Sequence, residues 1–309
     1  MALIILTKSL TPNFIESLKR IARKILGKKR GPQAVTASLI RGLHNLHYPY
    51  KINPKTKDIG EKDTIWVNES LGSLRYAIDF KQKGHENKLI AGPNLVICPD
   101  EHASIIFNPK IDIILQPSLW TKKLYEKYNQ AASSRLHIWP AGVADPYEKT
   151  IAPVKDTYFV LYEKHAPKEL VSMAMKSLEA KNISIKIIRY GSFKHEEFLS
   201  LLDKAAGMIY LSPSESQGIA LQEAWIRDVP TLVWDREFWE YGGQKFEHPQ
   251  ISCPYLTESS GMTFSSITDF DQKLQEFIRS LPHFKARDYC IGNLTDKITT
   301  RHYLDIIEK

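Results

Sequence analysis

Between Met208 and Trp234 the chain reads as a short apolar strand, a polar loop, a helix and a second apolar strand, and no other stretch restricts the fold as much. Met208 to Leu211 is apolar and stops at Ser212-Pro213. Ile219 to Ile226 is helical in pattern and ends before Pro230, which opens the apolar run Thr231 to Trp234. Two strands joined through a crossover helix lie parallel. Gly218, just before the helix, lets the backbone approach a ligand closely. The amides of Gly218, Ile219, Ala220 and Leu221 then form a positive helix N-terminus suited to a phosphate. Glu215 and Glu223 bracket this loop and helix with seven residues between them. Were the whole interval helical they would stand roughly 12 Å apart along the axis. Gly218 argues against that and puts Glu215 at the mouth and Glu223 one turn inside. A ligand with phosphates in the middle and hydroxyl groups at both ends, such as a nucleotide-sugar, fits that spacing.

The same alternation recurs along the chain. Thr64 to Val67, Lys88 to Ala91, Leu95 to Cys98, Ile111 to Leu115, Tyr158 to Tyr162, Ile185 to Tyr190 and Gly261 to Phe264 are short apolar runs, separated by helical patterns. This predicts an α/β protein with parallel, doubly wound sheets. With 309 residues the chain holds two domains of ordinary size. The polar, unpatterned stretch Asp145 to Pro153 marks the expected boundary.

Composition excludes several classes. No run of eighteen apolar residues exists, and Met-Ala-Leu-Ile-Ile-Leu lacks the basic start and cleavage pattern of a signal peptide, so a cytoplasmic protein is expected. Cys98, Cys253 and Cys290 are widely spaced without a C-x-x-C pair, which indicates neither a disulfide framework nor a zinc site. The net charge of +7 gathers near the N-terminus. There Phe14, Leu18, Ile21 and Ile25 recur at helical spacing over residues 12–26, with Lys19, Arg20, Arg23 and Lys24 on the other face. Such a helix either packs on a sheet with a solvated basic face or lies on an anionic membrane surface, peripheral to its inner face. The basic residues carry no interleaved aromatics, so no nucleic-acid partner is expected.

The string Pro-Ser-Glu-Ser-Gln-Gly-Ile-Ala-Leu-Gln-Glu-Ala, followed by Asp-Val-Pro-Thr-Leu-Val, resembles the Glu-x7-Glu signature of retaining GT-B glycosyltransferases, with Pro213, Ser214, Glu215, Gly218, Glu223, Ala224 and Pro230 in register. The resemblance implies two Rossmann-like domains facing across a cleft. Residues 1–149 would form the acceptor side, with a C-terminal helix 287–309 packing back on it, and residues 150–286 would bind the nucleotide-sugar. It implies that Glu215, as the catalytic residue, binds hydroxyls of the donor sugar, and that Glu223 binds the ribose. Gly191 matches the strand-then-glycine turn near the base. In the family a Gly-Arg pair and a later lysine hold the donor diphosphate. Here Tyr162-Glu163 stands where Gly-Arg is expected, leaving Lys164 and Lys168 as the available cations. Gly31 and Gln33 resemble the glycine-containing loop that faces the cleft from the first domain, although the basic helix intervenes, and His102 stands beyond a strand end where relatives place a histidine. No metal and no cofactor beyond the nucleotide-sugar co-substrate are implied. The acceptor would be a glycan or a lipid-linked sugar. A non-hydrolysing sugar-nucleotide epimerase shares the two-domain shape, and a catalytically idle sugar-nucleotide binder accommodates the missing Gly-Arg.

Overall fold

The computed structural model describes residues 1–7 and 31–308. The expected basic helix over residues 12–26 lies outside the described residues. The chain divides into two compact units, Met1–Gly142 with Asp296–Lys309, and Val143–Thr295.

In the first unit, six strands form one sheet: β1 (Leu3–Leu6), β2 (Tyr50–Ile52), β3 (Thr64–Val67), β4 (Leu89–Ala91), β5 (Ile113–Gln116) and β6 (Leu136–Ile138). Their spatial order is β2-β1-β3-β4-β5-β6, and every pairing is parallel. The four-residue runs of β1, β3 and β5 are buried throughout, as expected of parallel strands covered on both faces. Helices α1 (Gly31–Asn45), α2 (Leu71–Gln82) and α3 (Leu119–Tyr128) belong to this unit. Ser70 caps α2 by accepting from the Ser73 amide at 3.1 Å.

The second unit holds β7 (Phe159–Glu163), α4 (Lys168–Ala180), β8 (Ile185–Arg189), α5 (His195–Lys204), β9 (Gly207–Leu211), α6 (Ile219–Trp225) and β10 (Thr231–Trp234). These are followed by β11 (Phe238–Tyr241), β12 (Gln244–Glu247), β13 (Gly261–Phe264), α7 (Ile267–Ser280) and α8 (Ala286–Asn293). Its five-stranded parallel sheet has the order β13-β10-β9-β7-β8. Counted within the unit, the order is the doubly wound 2-1-3-4-5 read from the other edge. The winding therefore reverses between β7 and β9, and open sheets of this kind bind ligands beyond the carboxyl ends of the strands at that place.

Three expectations are corrected. Leu95 to Cys98 is a loop, not a strand: the position beside β4 is filled by β5, and Ile97 is exposed. The closing helix expected over 287–309 is two helices. Only α9 (Asp296–Ile307) belongs to the first unit, whereas α8 packs in the second. The change of unit falls at Val143 rather than after residue 149, because the Val143 amide donates to the Leu294 carbonyl at 2.9 Å and Arg287 holds Asp145 by two contacts of 2.8 Å. The aromatic segment after Trp234 is also more ordered than its pattern implies. It is an antiparallel hairpin turned by Gly242 and Gly243, both at positive φ, as a two-residue hairpin turn with matching twist requires.

Helix α9 completes the core of the first unit. Tyr303 meets Trp66 and Trp139 edge to face, with ring centroids 5.9 and 5.1 Å away, and the Trp139 indole donates to the Thr299 carbonyl at 2.9 Å. Arg41 on α1 grips the Asp296 carboxylate at 2.6 and 3.0 Å. This close approach is possible because Gly42 has no side chain: a Cβ there would stand 1.8 Å from Thr300 Oγ1.

Candidate active site

The two glutamates are fixed by separate devices, both within the second unit. Strand β9 ends at Leu211, and the loop that follows turns back on itself. The Glu215 amide donates to the Ile251 carbonyl at 2.9 Å, and Arg236 Nε donates to the Pro213 carbonyl at 3.2 Å. The Glu215 side chain is thereby held over the ends of β7 and β9. Its Oε1 accepts from Lys164 Nζ at 2.7 Å, from the Tyr210 hydroxyl at 2.7 Å and from Ser212 Oγ at 2.9 Å. Lys164 follows β7 directly, and its amide donates to the Leu211 carbonyl at 2.8 Å, so the ion pair joins the two strands at which the winding reverses.

Glu223 lies on α6 and pairs with His195 Nε2 at 2.9 Å, where His195 opens α5. Neither glutamate points into bulk solvent: their side chains retain 10% and 14% of their exposure. Gly218 adopts φ +81° and ψ +49°, the left-handed conformation that a residue with a Cβ enters at a cost, and α6 starts immediately after it. The Leu221 amide donates to the Gly218 carbonyl at 3.0 Å. That leaves Gly218, Ile219 and Ala220 as the amides preceding the first internal bond of the helix. Replacing Gly218 with Ala is expected to destabilise the second unit by about 1–2 kcal/mol, through left-handed strain and a Cβ contact of 3.1 Å with Leu221, read as a lowered denaturation midpoint.

The aromatic floor was not foreseen from the sequence. Tyr162 of β7 and Tyr210 of β9 are register partners, and their rings stack at 4.9 Å with 13° between planes. Tyr190, half exposed at the end of β8, presents its ring 5.0 Å from Lys164 Nζ. Burial, and then the charge of Glu215, hold the phenols of both Tyr162 and Tyr210 above the ordinary tyrosine value of 10.0. A raised folded-state value contributes stability that is present below the unfolded value and lost above it. The thermal midpoint is therefore expected to fall as pH rises beyond about 10, in step with the appearance of phenolate absorbance.

Other candidates stand apart from this group. Lys168 opens α4, exposed, and lines an open groove with Glu163 and Arg189; among the described residues it forms no hydrogen bond or ion pair. Gly191 makes the turn after β8 at φ +82°. In the first unit, Gly31 and Gln33 are the exposed first turn of α1, and Asn68, just past β3, donates to the Pro32 carbonyl at 3.0 Å. His102 is exposed in a left-handed turn spanning His102 to Ser104. In the second unit Asp269 accepts from the Ser266 amide at 2.8 Å in a capping box at the start of α7. Among the described residues, no group of three or more His, Cys, Asp or Glu side chains is placed to hold a metal ion.

With this geometry established, solved structures offer a comparison. The lipopolysaccharide outer core galactosyltransferase WaaB in its apo form superposes with a TM-score of 0.60 at 11% identity, covering 99% of each chain. The catalytic domain of starch synthase IV from Arabidopsis thaliana, bound to ADP and acarbose, gives 0.59 at 9% identity, covering 99% of this chain and 98% of that one. The pneumococcal O-GlcNAc transferase GtfA, in complex with UDP and GlcNAc, gives 0.54 at 12% identity over 82% of this chain and 58% of its own. The fold is the GT-B fold of two Rossmann-like domains. No protein-family model matches the sequence, and no curated protein matches it. Among the described residues no helix is long and apolar enough to cross a membrane.

Proposed function

We propose that the protein is a retaining, metal-independent glycosyltransferase that moves a hexose from a nucleotide-sugar to a glycan or lipid-linked acceptor in the synthesis of a cell-surface polysaccharide or glycoconjugate. The observation that supports this reading is the ion pair of Glu215 with Lys164 across the two strands between which the winding of the second sheet reverses, with Glu223 on the helix that follows the Glu215 loop. Each structural neighbour named above is a glycosyltransferase or starch synthase, which agrees with it.

In this reading Glu223 takes the ribose hydroxyls, Glu215 takes hydroxyls of the transferred hexose, and Gly191 lies at the base. Lys164 and the amides of Gly218, Ile219 and Ala220 meet the diphosphate. Lys168 would need to swing from its groove to join them. Gly31, Gln33 and His102 are assigned to the acceptor side. As the bond from the anomeric carbon to the phosphate oxygen breaks, the acceptor oxygen bonds to that carbon and its proton passes to the departing phosphate on the same face. The protein supplies positioned charge for the leaving group, not a base. The basic segment 12–26 is proposed to make peripheral contact with the inner face of a membrane.

A thermal-shift screen over nucleotide-sugars tests the reading. At about a hundred times its dissociation constant a true donor stabilises the fold by about 2.7 kcal/mol, a midpoint rise of roughly 5–10 °C. Turnover of the hit should release free nucleotide. Recovery of an epimerised nucleotide-sugar would establish the epimerase instead, and binding without turnover over a broad acceptor panel the idle binder.

A further inference from the structure

The Glu223 carboxylate is held by one oxygen. His195 Nε2 stands 2.9 Å from Glu223 Oε1, and because a carboxylate only accepts, Nε2 carries the hydrogen of this contact. The other oxygen, Oε2, has no hydrogen-bond partner among the described residues. Only 14% of the Glu223 side chain is exposed, so an oxygen left open there is placed for a donor from outside the protein.

The pair is not needed to pack its two helices. Phe198 and Leu202 of α5 and Leu221, Ala224 and Trp225 of α6 are already buried in one apolar cluster. The imidazole stands at the rim, 39% exposed, and a pair that open contributes at most about 1 kcal/mol to the fold. Its effect is geometric: it sets which way the carboxylate faces. The segment that carries the imidazole supports the same reading. Gly191 makes the left-handed turn after β8, and His195 opens α5 four residues later. Phe193, between them, anchors the connection against Tyr162 and Phe198. The turn placed at the base and the imidazole beside the ribose carboxylate thus belong to one short, anchored connection.

We infer that His195 is a positioning residue for the donor: its Nε2–H fixes Oε1 of Glu223 and so presents Oε2 to the ribose hydroxyls. The inference rests on the nucleotide-sugar reading and adds a residue to it. The imidazole acts through Glu223. Without it the carboxylate turns about its terminal bond, and the ribose loses a partner held in place.

Wild type, His195→Ala and His195→Gln are titrated with UDP, ADP and GDP and with the 2′,3′-dideoxy form of each. The Gln side chain offers an amide N–H near the place of Nε2. For the nucleotide that wild type binds, the Ala variant is expected to lose roughly 5- to 20-fold in affinity and the Gln variant no more than about threefold. For the dideoxy form, neither variant should differ from wild type by more than about twofold. Equal affinity of wild type and Ala variant for the ribonucleotide overturns the inference and leaves the donor reading intact. A loss of the same size for the dideoxy form also overturns it, since the imidazole then serves the base, the phosphates or the fold. So does a Gln variant as weak as the Ala variant. Wild-type protein that binds no member of the panel overturns the donor reading and this inference with it.

Discussion

Glu215→Gln should reduce sugar transfer by about 100- to 1,000-fold, the range seen when one preorganised electrostatic partner is removed from a catalytic site. The substitution preserves shape, so its effect comes from charge and acceptor capacity. In the native site one carboxylate oxygen gathers the ammonium of Lys164, the phenol of Tyr210 and the hydroxyl of Ser212. An amide that turns its oxygen to these donors loses the counter-charge for Lys164, and one that turns its nitrogen to them sets donor against donor. Glu223→Gln should act mainly on donor affinity, because its partner His195 stands at the ribose end of the proposed ligand. Initial rates at varied donor concentration separate the two effects. Full activity in both variants would refute the proposed function, whatever their stability.

Gly42→Ala should lower the stability of the first unit by about 1–3 kcal/mol, with overpacking as the cause. The new methyl carbon would stand 1.8 Å from Thr300 Oγ1 and 2.6 Å from the Asp296 carbonyl, so α9 must move off α1. For a unit of this size the thermal midpoint falls by roughly 2–12 °C. Adding Thr300→Gly should restore only part of the loss, because the clash with the Asp296 backbone remains. Calorimetry resolves the outcome, and an unchanged midpoint would mean that α9 packs elsewhere. Gly142 makes the same demand from the other side, where a Cβ would lie 2.5 Å from the Asp296 amide nitrogen.

Most of the parallel strands were legible as short apolar runs bounded by turn residues, whereas β2 and β6 were not foreseen, because three-residue strands with polar or half-exposed members carry no such run. Leu95 to Cys98 has the same look and failed: apolar character marks a segment for burial but does not say whether a sheet has room for it. The break between α8 and α9 is equally invisible to a helical pattern, since it depends on which unit each half packs against. In the site, Glu215, Glu223 and Gly218 stood out through local spacing, and Lys164 through the resemblance alone, as a cation near the missing Gly-Arg pair. Tyr162 did not, because an aromatic at a strand end reads as core until a register partner and a nearby carboxylate are known. His195 had no signal at all, as its meeting with Glu223 joins two helices distant in sequence.

The first unit is built from two separate segments of sequence, which bears on how the chain is made. Residues 143–295 form a contiguous unit, whereas the core around Trp66 and Trp139 waits for Tyr303. At ordinary translation speeds that interval lasts roughly 8–30 s. The earlier-encoded sheet thus spends that interval with its aromatic face unsealed, when a chaperone would find it.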